Sequence, residues 1–545
     1  MIRIETRVGK PGLYSDDIPD KNMILGAIGR IPGVRGRRRN KATFPAEPRL
    51  LELLLRRVPQ LKLSPDAQEW YESRRAQEES RARLIDRKDA DIDYPKADLL
   101  RPYQRVGADF VAQAGRSMLC DDCGLGKTVE TIAAVEMTPR SEQNLVVCPN
   151  SLKLFWKSEI EKWSTLDLPV VIVNSETRER DFRAYRNLAP AGAWMVINYE
   201  QLILTDELEK ILWDWIIFDE SHRLKNRKTQ TYGAAQRLDF RRMVLLTGTP
   251  FGNDASDLWA QLHLIEPKHF SSYWRFYELF VEYYEDYFEH KHITGVRNVD
   301  LLRKELASRV VQRKKEEIAD ELPGKTYQTI PLELTDLQRK IYRQMAEEML
   351  IELESGEVVE AVNTMSMITR LRQIVGTPAA FDFDDESSKL DEVMELVEKY
   401  KKVVVFAQFR APVQALAKRL EKADIPHVTV LGGLGDEVVA DRVERFQADE
   451  DCRVFVGTAQ TGGVGLTLTS APVVIFVSQP WSPIKQHQAE DRVHRIGQTD
   501  QVHIINLVCP GTTDDLVDGV LSKKIQMTEA VLREKLINSL KPWMR

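Results

Sequence analysis

The sequence predicts an α/β protein built from two separate parallel-sheet lobes, with helical insertions and a small region ahead of them. Three observations lead there. Short, continuous apolar runs recur in one stretch of chain: Leu145-Val-Val-Cys148, Trp194-Met-Val-Ile197, Trp215-Ile-Ile-Phe218 and Met243-Val-Leu-Leu246. Each is followed by polar or Gly/Pro residues and then by helical periodicity, and unbroken apolarity suits strands covered on both faces, as in a parallel sheet. A second set of the same kind comes much later: Val403-Val-Val-Phe-Ala407, His427-Val-Thr-Val430, Val454-Phe-Val456, Val473-Val-Ile-Phe-Val477 and Val502-His-Ile-Ile-Asn-Leu507. Length agrees, since 545 residues at roughly 150 per domain correspond to about three or four compact units.

The composition narrows the class. Hydrophobic residues are 43% and charged ones 29% of the chain, and the longest apolar runs fall far short of the roughly 20 residues that cross a bilayer. A membrane protein is not expected. The N-terminal Met-Ile-Arg-Ile-Glu-Thr-Arg lacks the charged-then-apolar order of a secretion signal, and five cysteines are too few for a disulfide framework. A reducing, intracellular compartment is therefore expected. The net charge, 77 minus 83 or −6, argues against coating nucleic acid through bulk basicity but leaves room for a local basic groove.

In chain order, the first ninety or so residues alternate Gly/Pro turns with a short amphipathic stretch, Leu50-Leu-Glu-Leu-Leu-Leu-Arg-Arg-Val58. The basic cluster Arg35-Gly-Arg-Arg-Arg-Asn-Lys41 fits phosphate neutralisation and a solvated loop equally well. The mixed-charge run from Tyr71 to Arg83 predicts an exposed helix, with Pro95 as a boundary after it. Between the two lobes, Tyr273-Trp-Arg-Phe-Tyr-Glu-Leu-Phe-Val-Glu-Tyr-Tyr predicts an aromatic-rich helical region whose spacing favours buried packing over base stacking. Leu322-Pro-Gly-Lys325 is a hinge candidate, and helices are expected beyond it, with an insertion near Leu337 to Val375 protruding from the second lobe.

Two motifs carry chemistry. Asp121-Asp-Cys-Gly124-Leu-Gly126-Lys127-Thr128 follows an apolar strand and precedes a helical run. Backbone amides at a helix start can cradle phosphates, Lys127 can reach the β and γ oxygens, and the Thr128 hydroxyl can hold Mg²⁺. The strict phosphate-loop pattern has Gly where this chain has Asp121. Ile216-Ile-Phe-Asp219-Glu220-Ser221-His222 delivers two adjacent carboxylates at the end of a strand. Asp219 can hold the Mg²⁺ shell while Glu220 orients and deprotonates the attacking water. Cys120 and Cys123 have C-x-x-C spacing without a second pair, so a closed zinc site is not expected, and neither H-E-x-x-H nor G-x-S-x-G occurs. Phosphoanhydride hydrolysis is left as the chemistry with a complete set of parts.

With these placed, three more blocks stand in order: Leu99-Leu-Arg-Pro-Tyr-Gln104, Leu246-Thr-Gly-Thr-Pro250 and Gln488-Ala-Glu-Asp-Arg492-Val-His-Arg495-Ile-Gly-Gln498. Together they resemble a Swi/Snf-type ATPase of helicase superfamily two, from about Ala97 to about Val531. The resemblance implies RecA-like lobes. It implies that Gln104 reads the adenine edge, that Gly124, Gly126, Lys127 and Thr128 bind the phosphates, and that Thr128 and Asp219 bind Mg²⁺. Lys127, Asp219 and Glu220 would serve hydrolysis, with Arg492 and Arg495 entering the nucleotide cleft from the second lobe. Thr247, Thr249 and Thr458 would couple nucleotide to DNA, and Gly465 would lie in an element that contacts both. Asp122 and Cys123 stand where the family often has Glu and Met, Ser221 replaces a common Ala, and Gly465-Leu-Thr-Leu468 replaces a Gly-Ile-Asn-Leu type run. These departures, with Gly511-Thr-Thr-Asp-Asp515, are similar to the annealing-helicase branch. Residues 24–45 are similar to that branch's small accessory DNA-binding module.

The expected organisation is an accessory, DNA-binding region over residues 1–92, a first lobe with a helical insertion over 93–312, and a second lobe with a helical protrusion and C-terminal brace helices over 313–545. The expected cofactors are ATP and Mg²⁺, and the expected partner is double-stranded or forked DNA. The implied function is an ATP-dependent duplex translocase that reanneals or remodels forks. A remodeller that strips protein or polymerase from DNA, and an ATP-gated DNA-binding switch, remain alternatives. The short flanks imply a bacterial or phage setting, in the cytoplasm.

Overall fold

The computed structural model describes residues 2–7, 10–15, 35–37, 41–45, 51–52, 55, 62–248, 250, 255–285, 291–318, 322–354, 361–459 and 466–521. By contacts the chain forms two units, residues 1–122 with 126–314 and residues 123–125 with 315–545.

The first unit is built on a seven-stranded parallel sheet. Its spatial order is Val310–Val311, Arg116–Leu119, Asp239–Leu246, Leu212–Asp219, Gln143–Cys148, Ala193–Asn198, Val170–Ile172. The expected apolar runs are its central strands, and every residue of Ala193–Asn198 is buried. Helices on both faces exclude water from them, which is why these strands show no polar alternation. Their carboxyl ends face the same way, so groups that are distant in sequence come to adjacent positions on one edge.

The second unit holds a six-stranded parallel sheet in the order Lys325–Pro331, Val502–Val508, Val473–Phe476, Val403–Ala407, Val454–Thr458, His427–Val430. Two parallel-sheet lobes are thus present, as expected. Lys325, at the end of the hinge candidate, opens the edge strand, whose mostly exposed residues leave no apolar signature to detect. The helices Asp336–Glu354 and Ala361–Gly376 cover the region expected to protrude. They share a core of Tyr342, Ile368, Leu371 and Ile374 with Cys509 and Leu516, which anchors them beside the helix Thr513–Leu521. The expected C-terminal brace beyond residue 521 lies outside the described residues.

Three local findings refine the sequence reading. The N-terminal region contains a four-stranded antiparallel sheet, Ile2–Arg7, Lys10–Ser15, Lys41–Pro45 and Arg35–Arg37. Its strands are short and one contains Pro11-Gly12, so period-two alternation is hard to see and pairing sets the structure instead. The expected exposed helix is Pro65–Ile85, capped where Ser64 Oγ accepts the Ala67 amide at 3.3 Å. Of the amphipathic stretch after residue 50, only Leu51, Glu52 and Leu55 are described, all helical.

The aromatic region is corrected in its second half. The helix Tyr273–Phe280 stops, and Val281–Glu285 instead pairs antiparallel with Lys291–Val296. Val281 is buried while Glu282 and Tyr284 are exposed, so the β-branched and aromatic run alternates and fits a half-buried strand. Phe276, Tyr277 and Phe280 are buried as expected, whereas Trp274 is 58% exposed. Among the described residues no helix is long and apolar enough to cross a membrane.

Candidate nucleotide site

Three motifs meet at the carboxyl edge of the first sheet. Strand Asp239–Leu246 lies between the other two, and Leu246 is in register with Leu119 on one side and Asp219 on the other. The ends of these strands carry the phosphate loop, Thr247 and the Asp219–Glu220 pair. Crevices at the carboxyl ends of parallel strands are where open α/β sheets bind ligands.

The loop passes from Leu119 to the helix Lys127–Glu136, whose N-cap is Gly126. Gly124 and Gly126 have φ of +87° and +92°, in the left-handed region that residues with a Cβ avoid. A Cβ on Gly126 would also overlap Gln104 Nε2. The loop is thus shaped by its glycines so that backbone amides gather at a helix start, where the dipole favours an anion. Lys127 Nζ donates to the carbonyls of Asp121 at 2.6 Å and Asp122 at 3.2 Å, so its ammonium lies across the loop. Thr128, in the first turn, is half-buried. Gln104 is buried, and its Oε1 accepts the Arg101 amide at 2.9 Å.

Asp121, the departure from the strict pattern, has a structural job. Its carboxylate is wholly buried and accepts from Arg313 Nε at 2.9 Å, from Arg313 Nη2, and from the Arg313 backbone amide at 3.0 Å. Arg313 Nη2 also donates to Glu130 Oε2 at 2.6 Å, one turn into the helix that follows the loop. One guanidinium therefore holds the chain on both sides of the phosphate loop. Burial alone would lower Arg313, but Glu130 and Asp121 outweigh it and hold the guanidinium above its ordinary value. Burial pushes the Glu130 carboxyl well above its ordinary range. Gly107 makes room for the cluster, since a Cβ there would overlap Glu130 Oε2. Arg313→Ala leaves the buried Asp121 carboxylate without its cation and the Glu130 carboxyl without its donor, so a loss of about 3–5 kcal/mol is expected. Urea unfolding measures it: a midpoint shift equivalent to less than about 1 kcal/mol would mean the carboxylates find other partners.

Asp219 ends its strand, and its two carboxylate oxygens accept from Trp156 Nε1 at 2.9 Å and from the Glu220 amide at 2.9 Å. Burial, then the charge of Glu220, raise it to about 6. Glu220 is 4% exposed and takes φ +52°, unusual for a non-glycine residue, where the strand ends. Its Oε2 lies 3.1 Å from His222 Nδ1 but out of line for a hydrogen bond, and it is buried without any other hydrogen-bond partner among the described residues. Adjacent buried carboxylates of this kind favour a bound cation. Ser221 Oγ donates to Gln261 Oε1 at 2.9 Å, and Gln261 Nε2 donates to the Pro250 carbonyl at 3.2 Å. That buried amide ties the carboxylate turn to the segment after Thr247, whose own amide bonds the Leu119 carbonyl at 3.2 Å. Thr249 lies outside the described residues.

In the second unit, Arg492 and Arg495 lie on the turn after the helix Pro483–Glu490. Arg492 is 8% exposed, sits 5.4 Å over the Phe406 ring, and is lowered to about 10 by burial. Arg495 is half-buried. Around them, Glu490 pairs with Lys325 at 3.2 Å and Asp491 with Lys315 at 2.6 Å, while Lys315 Nζ also donates to the His494 carbonyl at 2.7 Å. These contacts fix the turn that carries both arginines. Thr458, buried, ends the strand Val454–Thr458, and Gly465 lies outside the described residues. Sequence reasoning missed Arg313, Gln261, Trp156 and Lys315. None stands in a recognisable local pattern, because each acts on a partner far along the chain.

Residues 66–380 match the family described as the SNF2-related domain, and residues 388–497 match the helicase conserved C-terminal domain. Similar proteins include an uncharacterized ATP-dependent helicase of Mycoplasma genitalium, 28% identical over 464 residues that make up 81% of this chain and 43% of that protein. The DNA annealing helicase and endonuclease ZRANB3 of Homo sapiens is 29% identical over 443 residues, 79% of this chain and 40% of that one. The chain spans about two fifths of the length of these curated relatives. Among solved structures, the Sulfolobus solfataricus SWI2/SNF2 ATPase core in complex with dsDNA is 25% identical, covers 83% of this chain and 95% of its own, and aligns with a TM-score of 0.40.

Proposed function

The chain belongs to the SNF2-related family, and from that premise we propose that it is an ATP-dependent double-stranded DNA translocase that reanneals or remodels forked DNA. The observation that carries the reading is the convergence, on adjacent strand ends, of a glycine-shaped phosphate loop and a buried carboxylate pair. The residues fit ATP and Mg²⁺: the loop offers amides and an ammonium to phosphates, and Glu220 Oε2 is a buried acceptor without a hydrogen-bond partner among the described residues. ATP supplies the phosphoanhydride and Mg²⁺ the positive charge that balances its oxygens.

In this reading Lys127 leaves the Asp121 and Asp122 carbonyls to neutralise β and γ oxygens. Thr128 and Asp219 hold the cation, and Trp156 keeps the Asp219 carboxylate oriented. Glu220 accepts the proton of the attacking water. Arg492 and Arg495 stabilise the charge that develops on the transferred phosphoryl group. Gln104 serves adenine recognition and Gly465 the nucleotide contact, while Thr247, Thr249 and Thr458 couple hydrolysis to DNA. Residues 1–92 serve as the accessory DNA-binding region, with lobes over 93–312 and 313–545. Relatives named for annealing support fork work. A buried general-base candidate and a rigidly held arginine turn favour turnover over a slow ATP-gated switch.

The test is steady-state ATP hydrolysis with no nucleic acid, single-stranded DNA, duplex, forked DNA and RNA. Stimulation of at least about tenfold by duplex or fork, without strand separation on a long duplex, is the expected result. Robust unwinding, or stimulation by RNA alone, would refute the translocase reading.

A further inference from the structure

The opposite edge of the first sheet carries a feature that nucleotide hydrolysis does not use. A concavity of about 1010 Å³ opens beside the helix Pro65–Ile85 and the first residues of the strands Arg116–Leu119, Leu212–Asp219 and Asp239–Leu246. Among the described residues, six arginines line it, Arg74, Arg81, Arg116, Arg140, Arg241 and Arg242, against a single carboxylate, Glu266.

That carboxylate is shared, since Glu266 Oε2 pairs with Arg309 Nη2 at 2.7 Å while its charge also interacts with Arg81. Arg241 pairs with Asp214 at 3.1 Å, and the other Asp214 oxygen accepts the amides of Glu142 and Gln143 at 3.2 and 3.0 Å. Among the described residues Arg74, Arg81, Arg116, Arg140 and Arg242 enter no ion pair. Their positions are nonetheless organised. Arg74 and Arg81 are two turns apart on one face of their helix, Arg116 stacks on the Phe240 ring at 4.7 Å, and Arg242 bonds the Arg140 carbonyl at 3.5 Å. Burial, joined by the neighbouring charges of Arg241 and Arg140, holds Arg242 below its usual value despite the attraction of Asp214. Like charges held together in a concave surface repel unless an anion sits among them.

Arginine forks match phosphate oxygens in pairs. The Phe240 ring lies under Arg116, so the lining favours backbone over base contacts. Arg116 and Leu119 are opposite ends of one strand, about 10 Å apart at roughly 3.3 Å per residue, which separates this concavity from the phosphate loop.

We propose that this concavity is a second binding site, for the phosphodiester backbone of DNA, remote from the nucleotide site and suited to a second arm of a branched substrate. The assignment of DNA rests on the translocase reading above.

The test compares full-length Arg74→Ala/Arg140→Ala with the charge-matched Arg183→Ala/Arg186→Ala protein. Arg74 and Arg140 are exposed, so the variant should fold. Anisotropy of labelled forked DNA across a salt series gives affinity and its salt dependence, and DNA-stimulated ATP hydrolysis is measured alongside. The expected result is a fork affinity reduced about tenfold and a log–log salt slope shallower by nearly two, about 0.9 per lost phosphate contact, with the charge-matched protein like wild type. A slope and affinity equal to those of the charge-matched protein would overturn the site. Loss of inorganic tripolyphosphate binding, with fork affinity unchanged, would overturn DNA as the ligand in favour of a free anion. If no nucleic acid stimulates hydrolysis but the salt slope still falls, the motor reading fails and the second site stands.

Discussion

Glu220→Gln is expected to retain ATP binding while lowering kcat by about 10²–10⁴, the range of a positioned general base. The side chain is 4% exposed, held by a left-handed backbone at the end of a strand, and its Oε2 has no hydrogen-bond partner among the described residues. Gln keeps the volume and hydrogen-bonding reach of Glu, so the buried turn is preserved. What it lacks is a basic oxygen to take the water's proton. Single-turnover hydrolysis with binding of a slowly hydrolysed ATP analogue separates the two steps, and the variant should remain on DNA with ATP bound. Hydrolysis within about threefold of wild type, well below the general-base range, would move the base to another residue.

Lys127→Ala is expected to lose both steps. In the described state the ammonium is shared between the Asp121 and Asp122 carbonyls at 2.6 and 3.2 Å, and phosphate oxygens would take it over as stronger acceptors. Removing a charge-assisted contact of about 1.5–3 kcal/mol lowers ATP affinity roughly tenfold to a hundredfold at 1.4 kcal/mol per decade. The loss in kcat is larger, beyond about 10³, because the charge on the γ-phosphoryl group grows toward the transition state. The Arg313 network stays intact in this variant, so its urea midpoint should remain near wild type. An ATP affinity within about threefold of wild type, less than the loss of one charged hydrogen bond, would show that Lys127 remains on the loop carbonyls.

Arg313→Ala separates stability from chemistry in a way these two do not. It acts on Asp121 and Glu130 behind the loop, so its main expected effect is on unfolding. Asp121 thus shows how a departure from a motif can be read: the loop gives up a glycine at its first position and gains an anchor 192 residues away in the chain.

By itself the sequence determined what depends on neighbours along the chain. Unbroken apolar runs specify strands buried on both faces, and left-handed glycines at 124 and 126 shape a loop wherever it is placed. The Lys127-Thr128 and Asp219-Glu220 motifs were legible for the same reason, since each is a local turn or strand end with its functional groups attached. Tertiary structure alone decided what depends on register and distant pairing. It brought Leu119, Leu246 and Asp219 level across three strands, set Arg313 between Asp121 and Glu130, and joined Ser221 to Pro250 through Gln261. It converted Val281–Glu285 from expected helix to strand, paired short N-terminal segments into a sheet, and gathered arginines from a helix, strand starts and connecting loops into one concavity. Local periodicity reports which face of an element is apolar; the energy of a cross-chain ion pair, hydrogen bond or strand pairing arises only when folding removes water from both partners at once.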